Sequence, residues 1–257
     1  MKSLTVIKIG GNIIDRPEEL DSFLMNFIKI DGPKILIHGG GVMASEMAAK
    51  LGIKTVMHQG RRITDLETLK LVSMVYAGWI NKSIIAKLQK LGCNAIGLSG
   101  ADGDSVPAVK RSPVPIDFGY VGDVDPAQIN GGFLISLLGR GITPVFCAIT
   151  HDRNGSILNT NADTMASSLT IALSKDYYTK LIYCFEKQGV LSDPDNENSV
   201  IPLITRKNYE SMKEAGFIKD GMIPKMDNAW YAIDKGVSEV YIKHASNLNN
   251  DKGTVLK

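Results

Sequence analysis

The chain has 257 residues, with 29 Lys and Arg against 27 Asp and Glu and a formal net charge of +2. A hydrophobic fraction of 44% and a charged fraction of 22% are ordinary globular values and exclude disorder, collagen and coiled coil. Charge this balanced gives no global basic field of the nucleic-acid-binding kind, so an anionic substrate must be met by locally concentrated cations.

Short apolar runs alternate with helical patterns. A strand is predicted over 4–9, ending in Gly10-Gly11. A helix over 17–30 opens on Pro17, Glu18 and Glu19, which suit a helix start. The strand 34–38 ends in Gly39-Gly40-Gly41, and Val42, Met43, Met47 and Leu51 then recur at helical spacing until Gly52. Residues 65–91 read as two helices meeting near Gly78, and 94–100 as a strand. The stretch 101–126 is rich in proline and short β-like pieces, a hairpin-rich insertion at the mouth of a sheet. A helix over 127–139, strands over 142–150 and 180–186 flanking a helix at 163–174, a helix over 225–235 and a strand over 237–244 complete the order. Near-continuous apolar strands alternating with helices mean an α/β fold with a mainly parallel sheet covered on both faces. No linker divides the chain cleanly; a pair of lobes split near residue 178 is the most it supports.

Cys93, Cys147 and Cys184 are odd in number, form no CxxC, and two of them sit inside apolar runs, which fits reduced thiols of a cytoplasmic chain. Lys8 interrupts the first apolar stretch and no small-residue cleavage site follows, which speaks against a signal peptide. No apolar run approaches the ~20 residues that span a bilayer.

Lys8 shares strand parity with Leu4 and Val6, an anomalous place for a cation. It is either the exposed end of a strand or a ligand-facing group, since open α/β sheets bind ligands beyond the carboxyl ends of their strands. The bare N–H groups of Gly10 and Gly11 allow close approach to an anion. His38-Gly39-Gly40-Gly41 makes a second glycine turn before a helix. Gly39-x-Gly41-x-x-Ala44 with Asp65 further on also fits the dinucleotide fingerprint of an oxidoreductase. Arg61-Arg62 is either a solvated pair or a fork for a carboxylate. In Asn159-Thr160-Asn161-Ala162-Asp163, alternate residues share one side; Asp163 alone could be a helix N-cap, but that leaves both asparagines unexplained. Lys225 lies in the first turn of a helix, where the dipole disfavours a cation and an anionic partner accounts for it. The four histidines, at 38, 58, 151 and 244, show no metal-ligand spacing, and no P-loop, HRD, DFG or GxSxG motif occurs. Two glycine cradles, two lysines, an organising aspartate and a carboxylate-reading arginine point to phosphoryl transfer onto a small acid.

The segments IKIGGNIID, ILIHGGG, GRRIT, LSGADGDSV, ILNTNAD and DGMIPK, in this order and spacing, resemble the amino-acid kinase family, in its N-acetylglutamate kinase branch, over essentially the whole chain. The resemblance implies an open three-layer αβα sandwich, with an acyl-amino-acid lobe over about 1–178 and a nucleotide lobe over about 179–257. It implies ATP-dependent phosphorylation of the γ-carboxylate of an N-acyl-L-glutamate in arginine biosynthesis, with Mg²⁺ bridging the ATP phosphates. By position, Lys8 and Lys225 resemble the lysines that stabilise the transferring group, and Asp163 the aspartate that holds them. Gly40, Gly41, Arg62 and Asn159, with Asn161 beside them, resemble the acyl-substrate readers. Gly10, Gly11, the segment 186–191 with Glu186, Gly189 and Leu191, and the turn with Phe217 and Lys219 resemble the ATP-binding elements. No protein metal ligand is implied. Phe185-Glu186-Lys187 departs from the family's usual Ser/Thr-Asp pair. Arg61 stands where a leucine is usual, so a dicarboxylic acyl cap such as succinyl enters as a variant substrate. The chain begins at the first strand, whereas arginine-inhibited members carry an extra N-terminal helix that builds a hexamer; a homodimer without arginine feedback is the expectation. Other members of the fold phosphorylate carbamate, aspartate, glutamate or nucleotide monophosphates, or bind nucleotide without catalysis. Arg62 and the asparagine cluster favour an amino-acid-sized acid, and Lys8, Asp163 and Lys225 together argue against a non-catalytic member.

Overall fold

The structure, a computed structural model, describes residues 1–58, 60–193, 195–214 and 222–257. In β1 (Ser3–Ile9), Leu4, Val6, Ile7 and Ile9 are all fully buried, so both faces of this strand are covered. The short α1 (Gly11–Ile14) leads into α2 (Pro17–Ile28), which starts on its proline, and then β2 (Lys34–His38) and α3 (Gly41–Lys50) follow. A hairpin of β3 (Val56–His58) and β4 (Arg61–Ile63) comes next. The Asp65 carboxylate accepts from the Thr68 N–H and caps α4 (Leu66–Ser73). The chain then stays helical through a π-helical stretch, Met74–Ile80, into α5 (Asn81–Lys90). The predicted meeting of two helices near Gly78 is therefore a change of helix type, with no turn.

After β5 (Ala95–Leu98), the proline-rich insertion holds a two-residue hairpin of β6 (Val109–Lys110) and β7 (Gly122–Asp123). The helix expected from 127 begins later: α6 (Gly131–Gly139) is capped by Asn130, behind a separate turn at Pro126–Gln128. The expected strand 142–150 is two strands. β8 (Thr143–Cys147) stays in the main sheet, and β9 (Ile149–His151) leaves it to pair with β10 (Ile157–Asn159). Then come α7 (Ala162–Leu173), β11 (Tyr178–Phe185), β12 (Leu203–Ile204), α8 (Arg206–Glu214), α9 (Met222–Asp234), β13 (Glu239–His244) and β14 (Thr254–Leu256).

Eight strands form the main sheet in the order β12-β14-β13-β11-β1-β2-β8-β5, parallel except for β13 with β14. This is the α/β architecture with a mainly parallel central sheet expected from sequence. The register sets Ile9 beside both His38 and Cys184, so β1, β2 and β11 end level. Their three outgoing turns consequently open side by side at the carboxyl edge, with α7 packed across the same strands. Among the described residues no helix is long and apolar enough to cross a membrane.

Helix α5 meets the sheet with no room to spare. A Cβ at Gly97 would stand 1.9 Å from the Asn81 side-chain oxygen, which is fully buried with its residue. Gly97→Ala is expected to destabilise the fold by about 1–3 kcal/mol through overpacking, read as a lowered urea midpoint with an unchanged slope.

Candidate active site

Lys8 is carried to the carboxyl end of β1, and its Nζ lies 2.7 Å from Asp163 Oδ1, both side chains being largely buried. Asp163 stands in the first turn of α7, where a carboxylate also favours the helix dipole. It is not the cap of that helix. Asn161 is: its side-chain oxygen accepts from the N–H groups of Asp163 (2.8 Å) and Thr164 (3.0 Å). Asn161 thus borders the cavity described below, with its side-chain oxygen engaged in capping and its amide nitrogen the group left to face a ligand. The Tyr183 hydroxyl, opposite Lys8 in the sheet, donates to the Asp163 carbonyl.

Lys225 completes the group from α9. Among the described residues this helix is already formed at Met222, ahead of the expected start at 225. The Lys225 ammonium sits 4.4 Å above the Phe185 ring. Burial lowers its pKa; Asp163 opposes that shift and Lys8 adds to it. Lys8, Asp163 and Lys225 therefore share one electrostatic neighbourhood, to which Glu186 also contributes.

Around the neighbouring turn the site residues separate. The Gly10 N–H donates to the Cys184 carbonyl at 2.9 Å, continuing the sheet ladder past Ile9. Gly11, first residue of α1, keeps an N–H without an intrahelical acceptor. Asn12 Nδ2 donates to Glu186, which brings that carboxylate across the same turn. Gly189 is a packing glycine, since a Cβ there would lie 2.7 Å from Thr254 Oγ1, and Leu191 bridges to Val200. Phe217 and Lys219 lie outside the described residues, as do Asp220 and Gly221.

The second centre is a cavity of about 190 Å³ bordered by Gly40, Gly41, Arg61, Arg62, Tyr76 and Asn159. Gly40 adopts φ +156°, and a Cβ on it would fall 2.3 Å from Ile80 and 2.9 Å from Tyr76, so only glycine fits. Arg62 is 9% exposed. Its guanidinium donates to the Gly41 carbonyl (3.0 Å), Ser45 Oγ (2.8 Å) and Thr55 Oγ1 (3.3 Å). Among the described residues no carboxylate forms an ion pair with it, leaving a buried cation for an incoming anion. Asn159 is buried and donates to Thr64 Oγ1 at 3.0 Å.

The returning arm of the 101–126 insertion is wedged between these readers. Thr64 N–H donates to the Phe118 carbonyl, Tyr120 N–H to the Thr64 carbonyl, and Asn159 N–H to the Tyr120 carbonyl. The insertion is therefore part of the cavity wall. It also delivers Arg111, which borders the cavity while its Nε donates to Asp123 at 3.0 Å and its guanidinium lies over Phe118. Sequence reasoning missed Arg111 and Tyr76: no pattern marks an arginine after a two-residue strand, and Tyr76 faces the cavity from a π-helical stretch whose period is not readable. Asp65 is committed to its helix cap, so the acid that the dinucleotide fingerprint requires is not presented.

The family model described as "Amino acid kinase family" matches residues 3–244. The chain belongs to the amino acid kinase family. Among curated members, the "Acetylglutamate kinase" of Phocaeicola vulgatus is 50% identical over 100% of this chain and 99% of its own length. That of Cytophaga hutchinsonii is 53% identical over 96% of this chain and 94% of its own. Among solved structures, the smu.665 protein of Streptococcus mutans UA159 superposes with a TM-score of 0.83 at 28% identity, covering 100% of this chain and 99% of its own. The matched family span takes in Lys8, Arg62, Asn159, Asp163 and Lys225.

Under the glycine turn, His38 is fully buried, and burial pushes its pKa down to about 4. The unfolded chain therefore binds a proton near pH 6.5 that the native state refuses until about pH 4. Stability supplied by this neutral ring is complete above about pH 6.5 and falls as the pH drops toward 4, by about 2 kcal/mol at pH 5. Urea unfolding at pH 7 and pH 5 should show that loss, and His38→Leu should remove about that much of it.

Proposed function

We propose that the chain is an ATP-dependent kinase for the γ-carboxylate of N-acetyl-L-glutamate, a carboxyl-group phosphotransferase serving arginine biosynthesis. The observation that carries this reading is the juxtaposition of two anion sites: the Arg62 cavity and the Lys8–Asp163–Lys225 group, both on turns at one sheet edge. The full-length similarity to acetylglutamate kinases supports the choice of acid.

In this reading the acyl group removes the amine charge of glutamate, leaving two carboxylates. Arg62 holds the α-carboxylate, with Asn159 beside it. The γ-carboxylate is already an anion at neutral pH and needs no general base. One of its oxygens attacks the terminal phosphorus of ATP as the bond to the ADP oxygen breaks, giving an acyl phosphate and ADP. The chain's work is positioning and charge neutralisation. Lys8 and Lys225 meet the oxygens on which charge redistributes, and Asp163 keeps both ammonium groups in place. Gly11 and Glu186 stand on the nucleotide side. Among the described residues no group of three or more His, Cys, Asp or Glu could hold a metal. An Mg²⁺ bound with the nucleotide would shield its phosphate charge.

The sheet order supports the two-lobe division. β1, β2, β8 and β5 come from the first 178 residues, with the Arg62 cavity opening at the turn after β2, and β11 to β14 form the half assigned to nucleotide. We also read the chain as a homodimer: Met74 and Trp79, on the outward side of the π-helical stretch, are 62% and 68% exposed, and β5 is an open sheet edge. A second reading of the substrate, an N-succinyl cap, is favoured by Arg61 and Arg111 bordering the same cavity as Arg62.

ADP release measured with N-acetyl-L-glutamate, N-succinyl-L-glutamate and free glutamate tests the reading; turnover with neither acylated acid defeats it. Lys8→Ala and Lys225→Ala should each lower kcat about a hundredfold or more, with smaller changes in KM, as expected for donors that act mainly on the transition state. For Arg62→Ala, calorimetry should show a weakened acylglutamate Kd beside an ATP Kd within a factor of two; an equal loss of both ligands would place Arg62 elsewhere. If the cap is succinyl, Arg61→Leu should cut the succinyl-to-acetyl ratio of kcat/KM by about ten- to a hundredfold, the worth of one charge-assisted hydrogen bond. An unchanged ratio would leave Arg61 a surface residue.

A further inference from the structure

His38 takes no direct part in the chemistry above, yet both of its ring nitrogens are engaged. Nδ1 lies 2.8 Å from the Gly39 carbonyl oxygen, and Nε2 lies 3.0 Å from Asn81 Nδ2. The Asn81 amide decides which nitrogen carries the hydrogen, because its own orientation is fixed from two sides. Asn81 Nδ2 is also 3.0 Å from the Val145 carbonyl, which can only accept. Asn81 Oδ1 is 3.2 Å from the Lys82 ammonium, which can only donate. The amide nitrogen therefore faces the ring, and with one hydrogen for each neighbour it makes Nε2 an acceptor. A neutral imidazole with an accepting Nε2 carries its hydrogen on Nδ1 and donates it to Gly39. Full burial keeps the ring neutral at physiological pH.

The consequence passes along one peptide unit. In a planar trans peptide the carbonyl and the following N–H point in opposite directions. Drawing the Gly39 oxygen down to the ring turns the Gly40 N–H away from it, toward the cavity that Gly39, Gly40 and Gly41 border. Among the described residues neither the Gly40 nor the Gly41 N–H donates to another protein group. The same anchor holds the back of the turn: Asn81 directly follows the π-helical stretch whose Tyr76 and Ile80 press on Gly40.

We propose that His38, fixed as its Nδ1–H tautomer by Asn81, is a positioning residue that aims the Gly40 N–H at an oxygen of the acylated amino-acid substrate. The substrate class rests on the functional reading above. The tautomer can be read without any substrate or variant, from the long-range ¹⁵N–¹H spectrum of the ligand-free protein at pH 7. Protonated Nδ1 with bare Nε2 is expected, and the opposite tautomer overturns the proposal. His38→Leu should raise KM for N-acetyl-L-glutamate tenfold or more while KM for ATP stays within twofold. His38→Asn places an amide nitrogen where Nδ1 was and should recover most of that loss. An unchanged acyl-substrate KM in His38→Leu, equal losses for both substrates, or an asparagine variant no better than leucine would each overturn it. The Gly40 amide resonance separates this proposal from the kinase reading. A Gly40 amide unmoved by N-acetyl-L-glutamate defeats the proposal; a shifted amide in a wild type without turnover supports it and defeats only the kinase reading.

Discussion

A lysine at the end of a strand buried on both faces is an expensive placement, and the Lys8–Asp163 ion pair is what makes it tenable. Withdrawing an ammonium from water is unfavourable unless an opposite charge meets it, and removal of one partner strands the other. The pair joins β1 to the first turn of α7 across 155 residues of chain (Lys8 to Asp163), so the helix cannot slide along the sheet without breaking it. The rest of the site is arranged around that fixed point. Tyr183 holds the backbone of Asp163 from the neighbouring strand, and Lys225 approaches over Phe185. The level ends of β1, β2 and β11 then bring the Arg62 cavity and the Gly10-Gly11 turn to the same edge.

Residues were legible in the sequence where their type conflicted with their surroundings. Lys8 in an apolar strand and Lys225 near a helix start each broke a local expectation, whereas Arg62 also read as one of a solvated pair until its burial was seen. The core strands were legible because a parallel sheet demands unbroken apolar runs. Elements paired only at the rim were not. The β3–β4 hairpin is largely exposed and offers no apolar alternation, and β12 is two residues long. In the NTNAD segment the sequence identified a cluster but could not assign its members. Asparagine and aspartate both cap helices, and only the chain's path shows that Asn161 caps α7 and frees Asp163 for Lys8. The commitment of the Gly10 N–H to Cys184 is equally invisible, because it depends on how far the sheet ladder runs.

The π-helical stretch performs two tasks that an ordinary helix would separate. It turns Tyr76 and Ile80 onto Gly40, forcing the backbone into a region only glycine occupies, and it sets Asn81 against His38. Such stretches are uncommon and are found at functional sites more than elsewhere. Here the altered winding lies between a capped helix and the sheet, where α5 is pinned by its contact with Gly97. The geometry of the cavity floor is thereby tied to packing well outside it.

The wall opposite that floor is built differently. The arm 118–121 is held to Thr64 and Asn159 by backbone hydrogen bonds, and it fits there only because Gly119, at φ +72°, carries no Cβ to meet the Thr64 carbonyl at 2.2 Å. Arg111 and Arg61 stand on this wall and its hairpin neighbour, outside the fixed frame of Arg62 and Gly40. Arg61 forms no ion pair among the described residues, whereas Arg111 is tied to Asp123 and lies over Phe118. Exchange of the two arginines would therefore have unequal consequences: Arg61 stands clear of the wall, whereas loss of Arg111 releases both Asp123 and the Phe118 ring.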